Sequence, residues 1–213
     1  MTITNSPFQW VVDNAADLLI NKRAVVAQTT TRDQTVRGAS RGGQIWRFTI
    51  NPGYGHLWSE IRSNIEAMDA ADKFTPGLVN FGNNPNLSYM FGYQGNATSL
   101  SGFTANIVQG NSTITVNGGT ITSGNILVSG DLVQFSGSNR VYSVVNNVPY
   151  NSHTVLLNRP VLEANATSVG TTVGSNCNFA IVCTQFPDWR FANDGSRRIE
   201  WTSPFIFMES LSS

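Results

Sequence analysis

The sequence predicts a mainly β protein, with a sandwich- or barrel-like main domain, one amphipathic helix and an inserted small β-barrel. The first observation is a series of short segments in which apolar and polar residues alternate, each bounded by Gly, Asn or Ser. The second is a single stretch with helical periodicity. The third is a change of composition in the middle of the chain, which separates two β units.

Eight segments predict strands because β-branched or large apolar residues alternate there with polar ones. They are residues 25–29, 45–50, 114–116, 132–135, 141–145, 154–157, 179–182 and 204–209. We expect the last segment to pair with the N-terminal sheet. The sequence Ser-Gly-Ser-Asn at 136–139 predicts a tight turn between two of these strands.

One helix is predicted over about 57–71, in the sequence LWSEIRSNIEAMDAA. Leu57, Ile61, Ile65 and Met68 recur at helical spacing and form an apolar stripe, which predicts packing against a sheet. Glycine and proline on both sides limit the helix.

The chain is interpreted as a discontinuous main domain, residues 1–82 plus 178–213, interrupted by an inserted β domain at 83–177. All five tryptophans fall in the main domain. Residues 83–119 are rich in Asn, Gly, Ser and Thr and contain few large apolar residues. They are therefore predicted to form a polar, flexible lead-in to the insert, suited to lying on a neighbouring subunit.

Composition excludes several classes of partner. Charged residues make up only 12% of the 213 residues and the formal net charge is zero, whereas nucleic-acid binding needs a cationic excess. No apolar run is long enough for membrane insertion, and the N-terminus lacks the pattern of a secretory signal. Cys177 and Cys183 would lie too far apart in one strand to pair, which favours thiols in a protein folded in the cytosol.

The motifs of known catalytic, cofactor and metal sites are missing from the sequence, so no enzyme, cofactor or metal ion is predicted. His56 and His153 are the only histidines, and neither lies in a zinc-ligand pattern. Asp69 and Asp72 lie at the end of the predicted helix, where the helix dipole does not favour acidic residues. A solvated helix face explains them more simply than a cation site does.

Residues 31–48, TRDQTVRGASRGGQIWRF, predict an arginine-lined hairpin with a turn at Gly42-Gly43, followed by a strand. Lys22 and Lys73 are the only lysines among 13 basic residues. A preference for arginine is typical of interfaces, although a lineage bias in codon usage would also produce it. Trp189, in a polar turn, is expected to be exposed. Interface contacts are predicted for Arg32, Arg37, Arg41, Trp189, Arg197 and Arg198.

Three motifs, in this order, resemble tail and baseplate structural proteins of tailed bacteriophages. They are SRGGQIWRFT at 40–49, SGDLVQFSGSNRVYSV at 129–144 and VLLNRPVL at 155–162. The resemblance implies a ring subunit of a tail baseplate, without catalytic residues, that joins the tail tube to hub or wedge proteins. Tail architecture in general suggests a hexamer, or a trimer near the spike. The implied location is the virion, after folding in the host cytoplasm. Residues 83–119 depart from the family pattern.

A carbohydrate-binding β module at a tail tip is the alternative hypothesis. Low charge, Asn-rich loops and an exposed Trp189 would suit it. Under this hypothesis, the protein would be a soluble monomer or trimer, and replacing Trp189 with alanine would abolish sugar binding.

Overall fold

The computed structural model of this protein describes residues 6–23, 26–30, 36–40, 44–71, 75–118 and 123–211, with backbone only at 26–30 and 36–40. Strands make up 39% of it and helices 14%, so the prediction of a mainly β fold with an inserted barrel is confirmed. The helices are α1 (Gln9–Asp13), α2 (Trp58–Ala70) and α3 (Ser88–Phe91), with a 3₁₀ turn at Gly174–Asn176. The strands are β1 (Ala15–Asn21), β2 (Val26–Thr30), β3 (Val36–Ser40), β4 (Arg47–Pro52), β5 (Gly77–Val79), β6 (Thr104–Ile107), β7 (Thr113–Asn117), β8 (Asn125–Leu127), β9 (Leu132–Phe135), β10 (Val141–Ser143), β11 (Val148–Pro149), β12 (Thr154–Leu156), β13 (Ala166–Val173), β14 (Phe179–Gln185), β15 (Trp189–Phe191), β16 (Ile199–Trp201) and β17 (Phe205–Glu209).

An antiparallel sheet in the order β1-β4-β17-β14-β5 forms the first unit, which we call the main unit. The predicted pairing of the C-terminal strand with the N-terminal sheet is confirmed, since Phe207 of β17 lies opposite Phe48 of β4. Along β17 every second residue is buried, and this alternation turns Phe205, Phe207 and Glu209 towards the core. A carboxylate thereby enters an apolar layer and needs a partner there.

Helix α2 confirms the predicted helix, and its stripe of Ile61, Ile65 and Met68 is buried in the core of the main unit. The short helices α1 and α3 were not predicted. Among the described residues, no helix has the length and apolar character needed to cross a membrane.

A six-stranded antiparallel sheet in the order β10-β9-β13-β6-β7-β12 forms the second unit. Its two outer strands meet at a bridge between Val144 and Leu157, where the Val145 N–H donates to the Leu156 carbonyl at 2.8 Å. The sheet therefore closes on itself as a barrel. Phe135 and Tyr142 lie in its core, with ring centroids 5.4 Å apart.

The expectation for residues 83–119 is wrong in one respect. They supply β6 and β7, which lie inside the barrel sheet, and not only a polar lead-in. Alternate residues of the two strands, Ala105, Ile107, Ile114 and Val116, are buried in the barrel core. On these two strands the core residues are β-branched or alanine, and Phe103, Phe135 and Tyr142 add large rings to the same core.

The predicted position of the turn in the arginine-lined hairpin is also corrected. Strands β2 and β3 form an antiparallel ladder in which Val26 pairs with Ser40 and Thr30 pairs with Val36. Gly42 and Gly43, the predicted turn, follow β3 and lie outside the described residues.

The barrel packs directly on the main unit through β9 and β10. All four residues of β9 are buried, because one face meets the barrel core and the other meets the main unit. Leu132 belongs to the main core, whereas Val133 belongs to the barrel core. The Gln134 side chain of β9 reaches the start of β14, where it donates to the Asn178 carbonyl at 2.8 Å and accepts from the Asn178 N–H at 2.9 Å.

Candidate functional site

The hairpin formed by β15 and β16 docks on the start of α2. The N–H of Trp58, the first residue of α2, donates to the Arg197 carbonyl at 3.1 Å. The Ile199 N–H donates to the His56 carbonyl at 3.0 Å, and a β-bridge joins Leu57 to Arg198. Because Leu57 at the N-cap offers no side-chain acceptor, the hairpin satisfies a backbone donor that the helix leaves open.

Aromatic rings cover one side of this junction. Trp58 stacks on Trp189 with ring centroids 5.0 Å apart, and Phe191 packs against both at 5.7 and 5.8 Å. Trp189 is therefore half-buried, and the prediction that its ring is exposed is wrong. The exposed rings are those of Phe191, with 50% of its surface accessible, and Tyr54, with 80%.

Three exposed arginines lie on the same hairpin as Trp189 and Phe191. Arg197 has φ of 58°, a left-handed backbone conformation that side-chain-bearing residues rarely adopt. This conformation aims its carbonyl at α2, and Arg197 and Arg198 are both exposed. Arg190 pairs with Glu200 across the hairpin at 3.0 Å, with 73% and 38% of the two side chains accessible. We call Tyr54, Phe191, Arg197 and Arg198 the hairpin surface.

A small pocket of about 180 Å³ lies within the hairpin surface. Tyr54 borders one side, and Asp194, Arg198 and Glu200 contribute charged groups. Its lining offers an exposed ring together with hydrogen-bond donors and acceptors, which are the groups that a sugar requires.

His56 lies beside the pocket and faces Trp10 edge-on, with centroids 5.0 Å apart. Burial lowers the pKa of His56, and the nearby Glu60 carboxylate only partly opposes this effect. We therefore expect a neutral imidazole at pH 7, which packs on the tryptophan rather than carrying charge.

A second cluster of functional-type side chains lies between the barrel and the main unit. Arg159, from the barrel, binds both carboxylate oxygens of Glu209 at 2.5 Å, and 3% and 0% of the two side chains are accessible. Arg159 also donates to the carbonyls of Gln44 at 2.7 Å and Val141 at 3.0 Å. The Trp46 N–H donates to Glu209 at 3.2 Å. These partners compensate both buried charges, so the cluster acts as a structural lock.

A polar pocket of about 310 Å³ lies on the barrel beside this lock. Glu163 accepts hydrogen bonds from Tyr142 at 2.5 Å and from Ser138, and it pairs with Arg140 at 3.5 Å. Burial, followed by the hydrogen bond to Glu163, raises the pKa of Tyr142 well above its ordinary value. The polar groups thus bind one another, and Arg140 also donates to the Leu211 carbonyl at 2.6 Å.

The structure brings together three of the six predicted interface residues, Trp189, Arg197 and Arg198. Arg32 and Arg41 lie outside the described residues, and Arg37 is described by its backbone in β3 alone. Asp72 is also outside them. In the described part of the chain, no group of three or more His, Cys, Asp or Glu side chains is placed to hold a metal ion.

Sequence reasoning missed Tyr54, Phe191 and the Arg159–Glu209 pair. Glu209 lies on the same face of its strand as Phe205 and Phe207. The sequence could therefore have indicated the pair, since an acid on a core-facing position needs a buried partner. No model of a known protein family matches this sequence, and no curated protein matches it either.

Proposed function

We propose that this protein is a structural subunit of a phage tail baseplate, which joins the tail tube to hub or wedge proteins through interfaces between subunits. It acts without a catalytic step, in the virion, after folding in the host cytoplasm. The three ordered motifs described above support this setting. The observation that carries the proposal is the hairpin surface, where exposed rings and arginines lie on a rigid, backbone-bonded scaffold.

Aromatic residues and arginine are the types most enriched at the centres of protein interfaces. Phe191 is held in place by Trp58 and Trp189, so little conformational entropy is lost when a partner covers it. The lock between Arg159 and Glu209 fixes the barrel to the same scaffold, so one subunit presents both units to its neighbours in a constant arrangement.

The test is the mass of the purified chain in solution, alone and mixed with structural proteins encoded beside it, by native mass spectrometry and light scattering. We expect a closed ring, alone or with a partner, whose mass gives six or three copies. A matched pair of variants locates the contact: Tyr54→Ser should weaken assembly, whereas Tyr150→Ser, which removes a 48% exposed tyrosine from the barrel, should not. A chain that stays monomeric with every partner would contradict the proposal.

Carbohydrate binding at a tail tip is a second candidate, favoured by the pocket beside Tyr54. Because Trp189 is covered by Trp58, Tyr54→Ala tests this candidate more directly than Trp189→Ala does. A glycan array with the wild-type chain and Tyr54→Ala should show binding that the variant loses. An array without any bound glycan would remove this candidate.

A further inference from the structure

Strand β1 lies at an open edge of the main sheet. Within the described part of the chain, β4 is the one strand that pairs with it, and residues 16–21 form no backbone–backbone hydrogen bond outside that ladder. Leu19 keeps 65% of its surface accessible. The free side of β1 therefore presents backbone N–H and C=O groups that another strand can bind.

The remaining edges of the two large sheets offer less room for an added strand. At the opposite edge of the main sheet, β5 has only three residues, and the Ser6 N–H already donates to its Leu78 carbonyl at 2.8 Å. The six-stranded sheet is closed by the bridge between Val144 and Leu157. Strand β1 is thus the long open edge of these two sheets.

The features that protect edge strands are confined to the first half of β1. Charged side chains, proline and bulges commonly prevent an edge from pairing. The ladder with β4 shifts register between Ala15 and Asp17, and Asp17 is the one charged residue of the strand. From Leu18 to Asn21 the edge contains no charge, no proline and no register shift, so this half of the strand is suited to pairing.

The sequence of β1 is self-complementary about Leu19. Residues 17–21 are polar at both ends and apolar at the three central positions. In an antiparallel pair of two copies with Leu19 opposite Leu19, Leu18 meets Ile20 of the second copy. Asp17 meets Asn21 of the second copy, so no like charges lie opposite each other. Apolar side chains then meet apolar ones on both faces of the sheet.

Both faces of the main sheet gain from this pairing. Leu18 and Ile20 pack, half-buried, at the edge of the main core. On the opposite face, Leu19 lies beside Thr49, which in turn lies beside Ile206 of β17. A second β1 would cover the exposed sides of these apolar residues. A strand of unrelated sequence could supply the same backbone hydrogen bonds, but not this match of side chains.

We infer that β1 pairs antiparallel with β1 of a second copy of this chain, in the register that places Leu19 opposite Leu19. The pair is two-fold symmetric and joins the two main sheets into one. A single strand pair buries less than the roughly 1,200 Å² of a standard interface, so we expect it at high protein concentration or where assembly brings subunits together. The inference goes beyond the proposed function, because a cyclic ring needs a contact between two different patches.

Disulfide trapping tests the pairing. Residues opposite each other in an antiparallel pair have Cα atoms about 4.5–5.5 Å apart, within the range that a disulfide bridges. Leu19→Cys, oxidised with diamide at high protein concentration, should therefore form covalent dimers on a non-reducing gel. Leu156→Cys, at an exposed leucine of the barrel, is the control for random collisions. The native Cys177 and Cys183 are buried.

Further variants test the register and the strength of the pair. Asp17→Cys and Asn21→Cys should form few dimers alone but cross-link when mixed, since these positions meet only in the antiparallel register. In sedimentation velocity, Leu19→Lys should lower the dimer association constant at least about tenfold, because two leucines are lost and two ammonium groups meet. Leu156→Lys should leave it unchanged. Thermal melting of each variant separates a folding defect from a contact defect.

The inference and the proposed function can fail separately. If Leu19→Cys forms no more dimers than Leu156→Cys, or if the mixture of Asp17→Cys and Asn21→Cys does not cross-link, the strand pairing is wrong even where a ring assembles. A dimer that Leu19→Lys leaves intact would also overturn the pairing. If the expected dimers form but the chain enters no ring with any partner, the pairing stands and the proposed function is wrong.

Discussion

Replacing Arg159 with methionine tests the lock between the barrel and the main unit. Methionine keeps much of the side-chain volume but leaves the Glu209 carboxylate, with no accessible surface, without its counter-charge. Losing one partner of a buried pair costs about 3–5 kcal/mol. The Gln44 carbonyl also loses its donor, whereas the Val141 carbonyl keeps the Trp46 indole N–H at 2.8 Å. We expect a total loss of about 4 kcal/mol, since such neighbouring terms do not add fully.

Urea unfolding at pH 7 measures this loss, and Arg190→Met is its control. Arg190 and Glu200 form the same type of pair at 3.0 Å, but in solvent, where such pairs contribute less than about 1 kcal/mol. Arg159→Met should therefore shift the unfolding midpoint by more than about 1 M urea, and Arg190→Met should barely move it. Equal shifts in the two variants would refute the argument that burial gives the pair its importance.

A double variant, Arg159→Met with Glu209→Leu, separates the charge from the hydrogen bonds. It removes both ions, so it should be more stable than Arg159→Met alone. It still leaves the Trp46 N–H and the Gln44 carbonyl without these partners, which we expect to keep it about 1–3 kcal/mol below the wild type. A double variant less stable than Arg159→Met would show that packing around the pair, and not the unpaired carboxylate, dominates.

Three further results are expected. Burial raises the pKa of Cys177 to about 12, so its thiol should react with iodoacetamide at pH 8 far more slowly in the folded chain than in urea, and equal rates would contradict its burial. Gly102 and Gly174 both have positive φ, but a methyl group at Gly174 would meet the Tyr93 nitrogen at 2.6 Å, whereas one at Gly102 would meet nothing within 4 Å. In urea unfolding we therefore expect Gly102→Ala to lower the free energy of unfolding by about 1 kcal/mol and Gly174→Ala to lower it by more than about 3 kcal/mol. Equal losses in the two variants would contradict the crowding at Gly174. Burial lowers the pKa of Lys22 in the folded chain, so between this lowered pKa and 10.5 the unfolded chain binds more protons than the folded one. The wild type should therefore gain stability relative to Lys22→Met as pH rises. A difference in unfolding free energy between the two chains that stays constant from pH 8 to pH 10 would contradict this.

The predictable parts of the fold are those in which one residue pattern serves one buried face. Residues 57–71 contain a helical stripe, and 204–209 contain a short apolar run rich in aromatic residues, so both elements were identified correctly. Residues 104–107 alternate as well, but the polar composition was weighed above alternation there, and only 114–116 was predicted as a strand in this region. The chain is polar in this region because every second residue of these two strands lies outside the barrel core.

The candidate site depended on contacts that join distant parts of the chain. Trp189 is half-buried because Trp58, far away in sequence, stacks on it. Nothing in the sequence indicated that the Arg197 carbonyl would receive the first N–H of α2. Arg159 and Glu209 are 50 residues apart, and only the position of Glu209 on the buried face of its strand indicated that it has a partner.

One continuous segment connects the proposed contact to the lock. Strand β16 ends at Trp201, and after three intervening residues β17 begins and runs to Glu209, which Arg159 binds. A load applied at the hairpin surface would therefore pass along β17 through paired strands on both sides, β4 and β14, into the barrel. Rings of subunits need such continuity, because a contact on a loosely attached hairpin would fix the hairpin without fixing the subunit. We therefore expect Arg159→Met, although it is remote from the hairpin surface, to weaken ring assembly more than Arg190→Met, which lies within the hairpin itself. The reverse order, measured by light scattering under conditions where both variants are folded, would show that the hairpin assembles independently of the lock.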